Sequence, residues 1–138
     1  MYLLYNMKQP SITCLLVDDD VDEHEIFHLA LHALTSDAEL RSAMDAQAAM
    51  QQLHGSGLRL PDYIFLDLNM PRLDGMELLR MIKQEASAVQ AIPVIMYSTS
   101  SSQRDIDRCL AAGADRFVTK PGTLTELKEI LNNIFGRL

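Results

Sequence analysis

Tyr63-Ile64-Phe65-Leu66-Asp67-Leu68-Asn69-Met70-Pro71 is the stretch on which the fold turns. Its apolar run is too short for a helix, is rich in aromatic and branched side chains, and is closed by a proline. That reads as a strand buried on both faces. The strand carries one carboxylate, Asp67, to its C-terminal end. In an open parallel sheet, ligands bind in the crevice beyond the carboxyl ends of the strands, so an acid there is placed for chemistry. Taken alone, a strand-end aspartate more often caps a loop, and its meaning depends on what else reaches the same edge.

Working outward, Ile12 to Val17 is a second buried strand that runs into Asp18-Asp19-Asp20. Asp20 and Glu23 fit a capping box for a helix reaching about Leu34, with Ile26, Phe27, Ala30, Leu31 and Leu34 as its core stripe. His24, His28 and His32 then fall on the opposite, solvated face. Without a nearby cysteine or suitably oriented acid they read as exposed polar residues rather than a zinc site. Glu39 to Met44 is a weaker, more polar strand that suits an edge. Asp45 can cap a helix from Ala46 to about Leu53, with Ala46, Ala49, Met50 and Leu53 inward, and a glycine of His54-Gly-Ser-Gly57 supplies a left-handed end.

Beyond Asp67, a loop Leu68 to Leu73 leads to Asp74-Gly-Met-Glu77 and a third helix with Leu78, Leu79 and Ile82 inward. Pro93 to Tyr97 is a fourth strand emptying into Ser98-Thr-Ser-Ser-Ser102. Ser102 and Asp105 box a fourth helix that stops at Gly113. Asp115 to Thr119 is a fifth strand closed by Lys120-Pro121, and Thr123 to Glu126 starts a last helix facing inward through Leu124, Leu127, Ile130, Leu131, Ile134 and Phe135. Strands alternating with helices argue an α/β fold: a five-stranded doubly wound parallel sheet, flavodoxin-like with order 2-1-3-4-5, and helices on both faces. One domain over residues 11–138 accounts for the length, and residues 1–10 form an unassigned N-terminal extension.

A chain of 138 residues leaves nothing over for a second domain. The net charge of -7 and pI near 4.9 argue against direct nucleic-acid binding, which needs a basic stripe. Cys14 and Cys109 make neither a metal spacing nor a disulfide framework and read as buried free thiols of a cytoplasmic protein. No segment approaches the length of a signal peptide core or a membrane span.

The topology places Asp18, Asp19, Asp67, Ser98 and Lys120 at one sheet edge. Carboxylates about 4 Å apart repel by a few kcal/mol per pair at an effective dielectric of about 20, so they share protons or bind a cation. A hard divalent ion, Mg²⁺ above all, suits oxygen ligands and leaves positions for phosphate oxygens. Lys120 adds an ammonium and Ser98 a hydroxyl. The set forms a cradle for a transferring phosphoryl group, with Asp67 as its nucleophile. A plain salt bridge from Lys120 to the acids accounts for one contact but not for the convergence of four strand ends.

Residues 12 to 136 resemble a receiver domain of two-component response regulators. The resemblance rests on Leu16-Val17-Asp18-Asp19, Asp67-Leu-Asn-Met-Pro71 with Asp74-Gly75, Ser98 after Pro93-Val-Ile-Met-Tyr97, and Lys120-Pro121 after Gly113-Ala-Asp-Arg-Phe117. It implies that Asp67 accepts a phosphoryl group from a sensor histidine kinase or phosphotransfer protein. It further implies that Asp19 binds Mg²⁺ directly, that Asp18 acts largely through water, and that the backbone carbonyl of Asn69 completes the shell. Lys120 would contact the phosphoryl group, ahead of a Lys120-Pro121 bond that is often cis in relatives. Ser98 matches the switch hydroxyl and Phe117 its aromatic partner, which would alter binding to a downstream protein effector. The chain also resembles small stand-alone receivers, some of which serve phytochrome-type kinases. Gly122 and the polar Ser98 to Ser102 loop depart from the family pattern beside the usual output face.

Asp18-Asp-Asp20 after a strand also fits the nucleophile motif of haloacid-dehalogenase-like phosphatases, with Asp18 attacking. That reading wants a further acidic pair after Lys120, where only the helical Glu126 and Glu129 stand, and it leaves Asp67 unexplained. A flavodoxin-like binding module would need a phosphate loop where this chain has acids.

Overall fold

Strands covered on both faces are built from continuous apolar runs. The computed structural model describes residues 9–55, 57–70 and 74–136. Its strands are β1 (Thr13–Val17), β2 (Glu39–Ala43), β3 (Tyr63–Leu66), β4 (Val94–Ser98) and β5 (Arg116–Thr119). All pair in parallel, in the order β2-β1-β3-β4-β5. Every residue of β1 and β4 is buried, whereas the edge strands β2 and β5 are largely half-exposed or exposed. The doubly wound sheet and the edge position of the polar Glu39 strand are as the sequence implies.

Among the described residues five helices cover the sheet: α1 (Val21–Leu34), α2 (Ala46–His54), α3 (Gly75–Gln84), α4 (Gln103–Ala111) and α5 (Leu124–Ile134). A short 3-10 turn, Ala88–Ala91, precedes β4 and has no counterpart in the sequence reading. Strand alternation divides the core. Leu15, Val17, Ile64, Leu66, Val94 and Met96 pack under α2, α3 and α4. Cys14, Leu16, Phe65, Ile95 and Tyr97 pack under α1 and α5, where Phe27 meets the Phe65 ring edge-on at 4.8 Å. Each large side chain buried this way contributes about 1.5–3 kcal/mol. Both cysteines are buried free thiols. Among the described residues no helix is long and apolar enough to cross a membrane.

The caps expected from sequence are present. Asp20, Asp45, Asp74, Ser102 and Thr123 each accept a backbone N–H of the helix they start, worth about 1 kcal/mol apiece. At α1 and α4 only half of the box forms. At α1 the Asp20 N–H goes to Asp18 Oδ1 at 2.9 Å, and Glu23 lies toward Lys120 instead, 3.9 Å away. At α4 the Ser102 N–H goes to Ser100 Oγ and Asp105 accepts the Ser100 hydroxyl instead.

Several local expectations are corrected. Ile26 and Leu124 are 42% and 40% exposed: the buried stripe of α1 runs through His24, Phe27, Ala30 and Leu31 and leaves Ile26 on its flank, and α5 buries Leu127 and Leu131 and leaves Leu124 in its first turn uncovered. His24 belongs to the buried set, only 8% exposed, while His28 and His32 stack near the surface with ring centroids 4.0 Å apart. Gly55, which caps α2, has φ -66°, and of the two glycines in that stretch it is Gly57, beyond the helix end, that has positive φ, 82°. No peptide bond among the described residues is cis, Lys120–Pro121 included. Pro71, Ser56 and most of the N-terminal extension lie outside the described residues, as do Arg72 and Leu73 of the loop after Asp67.

Candidate functional site at the carboxyl edge of the sheet

Register assembles the site. Val17 pairs with Leu66 and Leu66 with Met96, so Asp18 and Asp67 are the next residues on adjacent strands. Strand spacing of about 4.8 Å then puts their carboxylates side by side. Ser98, paired with Thr119, ends β4, and Lys120 follows directly, its N–H donating to the Ser98 carbonyl at 2.7 Å. Oxygens of Asp18, Asp19 and Asp67 all lie within 4.8 Å of one another. Ser98 ends β4 as a fully buried strand residue rather than opening the loop after it.

The three acids differ in freedom. Asp18 is fully buried, and both carboxylate oxygens are taken: Oδ1 accepts from the Asp20 N–H and Oδ2 from Lys120 Nζ, each at 2.9 Å. Asp19 is exposed. Asp67 is 6% exposed and accepts one long bond, 3.4 Å, from the Asn69 N–H. Its acidity is weakened: burial, then the charges of Asp18 and Asp19, push the pKa up to about 6 against the lowering pull of Lys120 and the Asn69 bond. Burial raises the Glu23 pKa as well. For Lys120 burial works against the ammonium, but the Asp18 bond and the charges of Asp67, Asp18 and Glu23 outweigh it and leave the pKa raised. One ammonium thus stands among four carboxylates, an imbalance that a divalent cation relieves, and the donors are the hard oxygens such an ion prefers.

Ser98 Oγ accepts from the Ser100 N–H at 3.1 Å, leaving its hydroxyl proton available. Ser100 in turn bonds Asp105 of α4 through its hydroxyl, 2.6 Å, and accepts from Thr119 of β5 through its carbonyl, 2.8 Å. The polar loop is therefore a bonded turn joining the site to α4 and β5. Phe117, on β5, is half-buried, packed against the core under α2, α3 and α4 and lining a groove with Ile106, Leu110 and Ile130.

Two participants escape sequence reading. Gly75 sits so close to the end of the Asp67 strand that a Cβ would lie 2.1 Å from the Asp67 carbonyl oxygen. The Asp74-Gly75 pair was visible as a motif, but only the packing gives the reason. His24 donates to the Asp18 carbonyl oxygen at 2.8 Å, and the signal for it was its i, i+3, i+7 spacing with Phe27 and Leu31.

Carboxylates, an ammonium and a hydroxyl at the carboxyl edge of a parallel sheet are the equipment of a phosphoacceptor signalling domain. The chain belongs to the response regulator receiver domain family, which matches residues 14–132. It is 31% identical over 123 residues to the probable methanogenesis regulatory protein FilR2 of Methanothrix harundinacea, covering 87% of this chain and 79% of that one. The phosphorylated cyanobacterial phytochrome response regulator RcpA superposes with a TM-score of 0.80 at 31% identity, over 89% of this chain and 90% of its own. The Mn²⁺-bound form of response regulator Rcp1 gives 0.76 at 31% identity, over 89% and 91%. The protein is therefore a receiver domain of two-component response regulators, and nothing supports the phosphatase reading.

Proposed function

We propose that Asp67 is the phosphoacceptor, taking a phosphoryl group from a phosphohistidine of a sensor histidine kinase or phosphotransfer protein. The observation that carries this reading is the inequality of the buried acids: Asp18 has both oxygens engaged, whereas Asp67 holds one long bond and a pKa of about 6. An Asp67 oxygen attacks phosphorus, the O–P bond forms as the P–N bond breaks, and the departing imidazole nitrogen keeps the electron pair. Lys120 swings its ammonium between Asp18 and the phosphoryl oxygens. Asp19, Asp67 and the Asn69 carbonyl would hold Mg²⁺, with Asp18 acting largely through water, and the ion would supply positive charge to the phosphoryl oxygens.

Ser98 then donates its hydroxyl to the phosphoryl group, and Phe117 turns into the space released, changing the α4 and β5 surface for a downstream protein effector. The chain assists its own phosphorylation and dephosphorylation and is not a turnover enzyme. Residues 11–138 form the receiver unit, residues 1–10 lie outside it, and the setting is cytoplasmic, with no membrane or nucleic acid as direct partner. Incubation with acetyl phosphate or a phosphorylated kinase domain should add one base-labile phosphoryl group, abolished by Asp67→Asn and by chelation. Labelling of Asp67→Asn at the wild-type rate would refute the assignment.

A further inference from the structure

The helical pattern assigns His24 to the solvated face of α1, yet it lies buried at the foot of the acid cluster. Its Nε2 is 2.8 Å from the Asp18 carbonyl oxygen and its Nδ1 is 2.9 Å from Ser42 Oγ on β2. A carbonyl can only accept, so Nε2 bears the hydrogen, and Nδ1 faces the Ser42 hydroxyl, which steadies the ring from its other side. Asp18 is thereby held at every polar atom: its N–H donates to Ala43, Oδ1 accepts from the Asp20 N–H, Oδ2 from Lys120, and its carbonyl from His24. Of these bonds, the one from His24 acts on the peptide plane that joins Asp18 to Asp19.

That plane matters because Asp19 is the exposed acid of the cluster and its direction follows from the peptide preceding it. We propose that His24 is a positioning residue which, by donating Nε2–H to the Asp18 carbonyl, holds the Asp18–Asp19 peptide so that Asp19 faces the other two carboxylates ready for a divalent cation. This rests on the reading that Asp19 and Asp67 hold Mg²⁺, with Asp18 acting largely through water. Without the bond, the carbonyl turns toward water and carries Asp19 with it, and an arriving cation must first reorder the turn. Ser42 supports the ring from the edge strand, much as outer partners orient the residues that ligate a metal.

The test titrates Mg²⁺ alone into the full chain by calorimetry, with melting in chelator measured alongside. His24→Ala should raise the Mg²⁺ Kd about tenfold or more, as loss of outer-shell support does elsewhere. His24→Gln, whose amide can reach the same carbonyl, should recover most of that loss. In phosphoryl labelling the Mg²⁺ half-saturation should move with the Kd while the rate at saturating Mg²⁺ stays near wild type. A folded His24→Ala with wild-type Mg²⁺ affinity, or a His24→Gln as weak as His24→Ala, overturns the inference. Should His24→Ala not fold, Ser42→Ala decides, since it frees the ring without emptying its site: weakened Mg²⁺ binding supports the role and unchanged binding overturns it. A wild-type chain that binds no Mg²⁺ refutes the metal reading itself, and the inference with it.

Discussion

Replacing Gly75 with alanine tests how tightly the acceptor strand is held. A Cβ there would lie 2.1 Å from the Asp67 carbonyl oxygen and 2.8 Å from Leu68 Cα, and it would press on the bond from the Gly75 N–H to the Leu68 carbonyl, 2.9 Å. Both opposing groups are backbone, so no rotamer change relieves the clash. Overpacking of this kind costs about 1–3 kcal/mol, and backbone against backbone belongs at the upper end. Alanine recovers about 0.4–1 kcal/mol by restricting the unfolded chain, which leaves a net loss of about 2 kcal/mol. The displacement falls on Asp67 itself, and a misplacement of about 1 Å can slow chemistry up to about 100-fold. Urea unfolding in chelator measures the first effect, and acetyl phosphate labelling the second. Gly122→Ala is the control, because no atom lies within 4 Å of its added carbon, and it should stay within about 0.5 kcal/mol of wild type. Gly75→Ala unfolding at the wild-type urea midpoint and labelling at the wild-type rate would refute the close-approach argument.

Three further outcomes are expected. Lys120→Met leaves Asp18, whose side chain is 1% exposed, without its cation, and should cost about 3 kcal/mol in chelator at pH 7.5, with partial recovery in millimolar Mg²⁺; an unchanged urea midpoint would show the pair to be dispensable. Asp67, with its pKa raised from 3.8 to about 6, favours the folded state most when protonated, so metal-free stability should fall as pH rises through that window and level off above it. At about 1.4 kcal/mol per pKa unit the fall amounts to no more than about 3 kcal/mol, and Asp67→Asn should abolish it; an identical pH profile in both proteins would remove Asp67 as its source. Ser98→Ala removes the acceptor for the Ser100 N–H, at about 1 kcal/mol, and should leave labelling intact while the amide shifts of α4 and β5 no longer respond to a beryllofluoride phosphate mimic; a full response would exclude Ser98 as the switch.

The strands and caps were legible because their causes are local. Ile12 to Val17, Tyr63 to Leu66 and Val94 to Tyr97 are apolar at every or nearly every position, which only double-sided burial explains, and each capping side chain bonds within three residues of itself. Once the strands are parallel, their carboxyl ends share an edge, so Asp18, Asp67, Ser98 and Lys120 could be grouped from the sequence alone. What the sequence could not supply was distance and partner. Asp18 and Asp67 are both strand-end acids in the chain, and only tertiary structure separates them, by spending both oxygens of Asp18 on Asp20 and Lys120 and leaving Asp67 lightly bonded. His24 looked solvated because helical periodicity records which residues share a face, not what stands opposite: here β2 brings Ser42 and the strand end brings a carbonyl, so a polar ring can be buried there with both nitrogens satisfied. Ile26 and Leu124 err in the other direction, since an apolar pattern does not say which flank of a helix the neighbouring elements cover. The pattern of the chain determines which groups meet, and the packing determines which of them remain free to react.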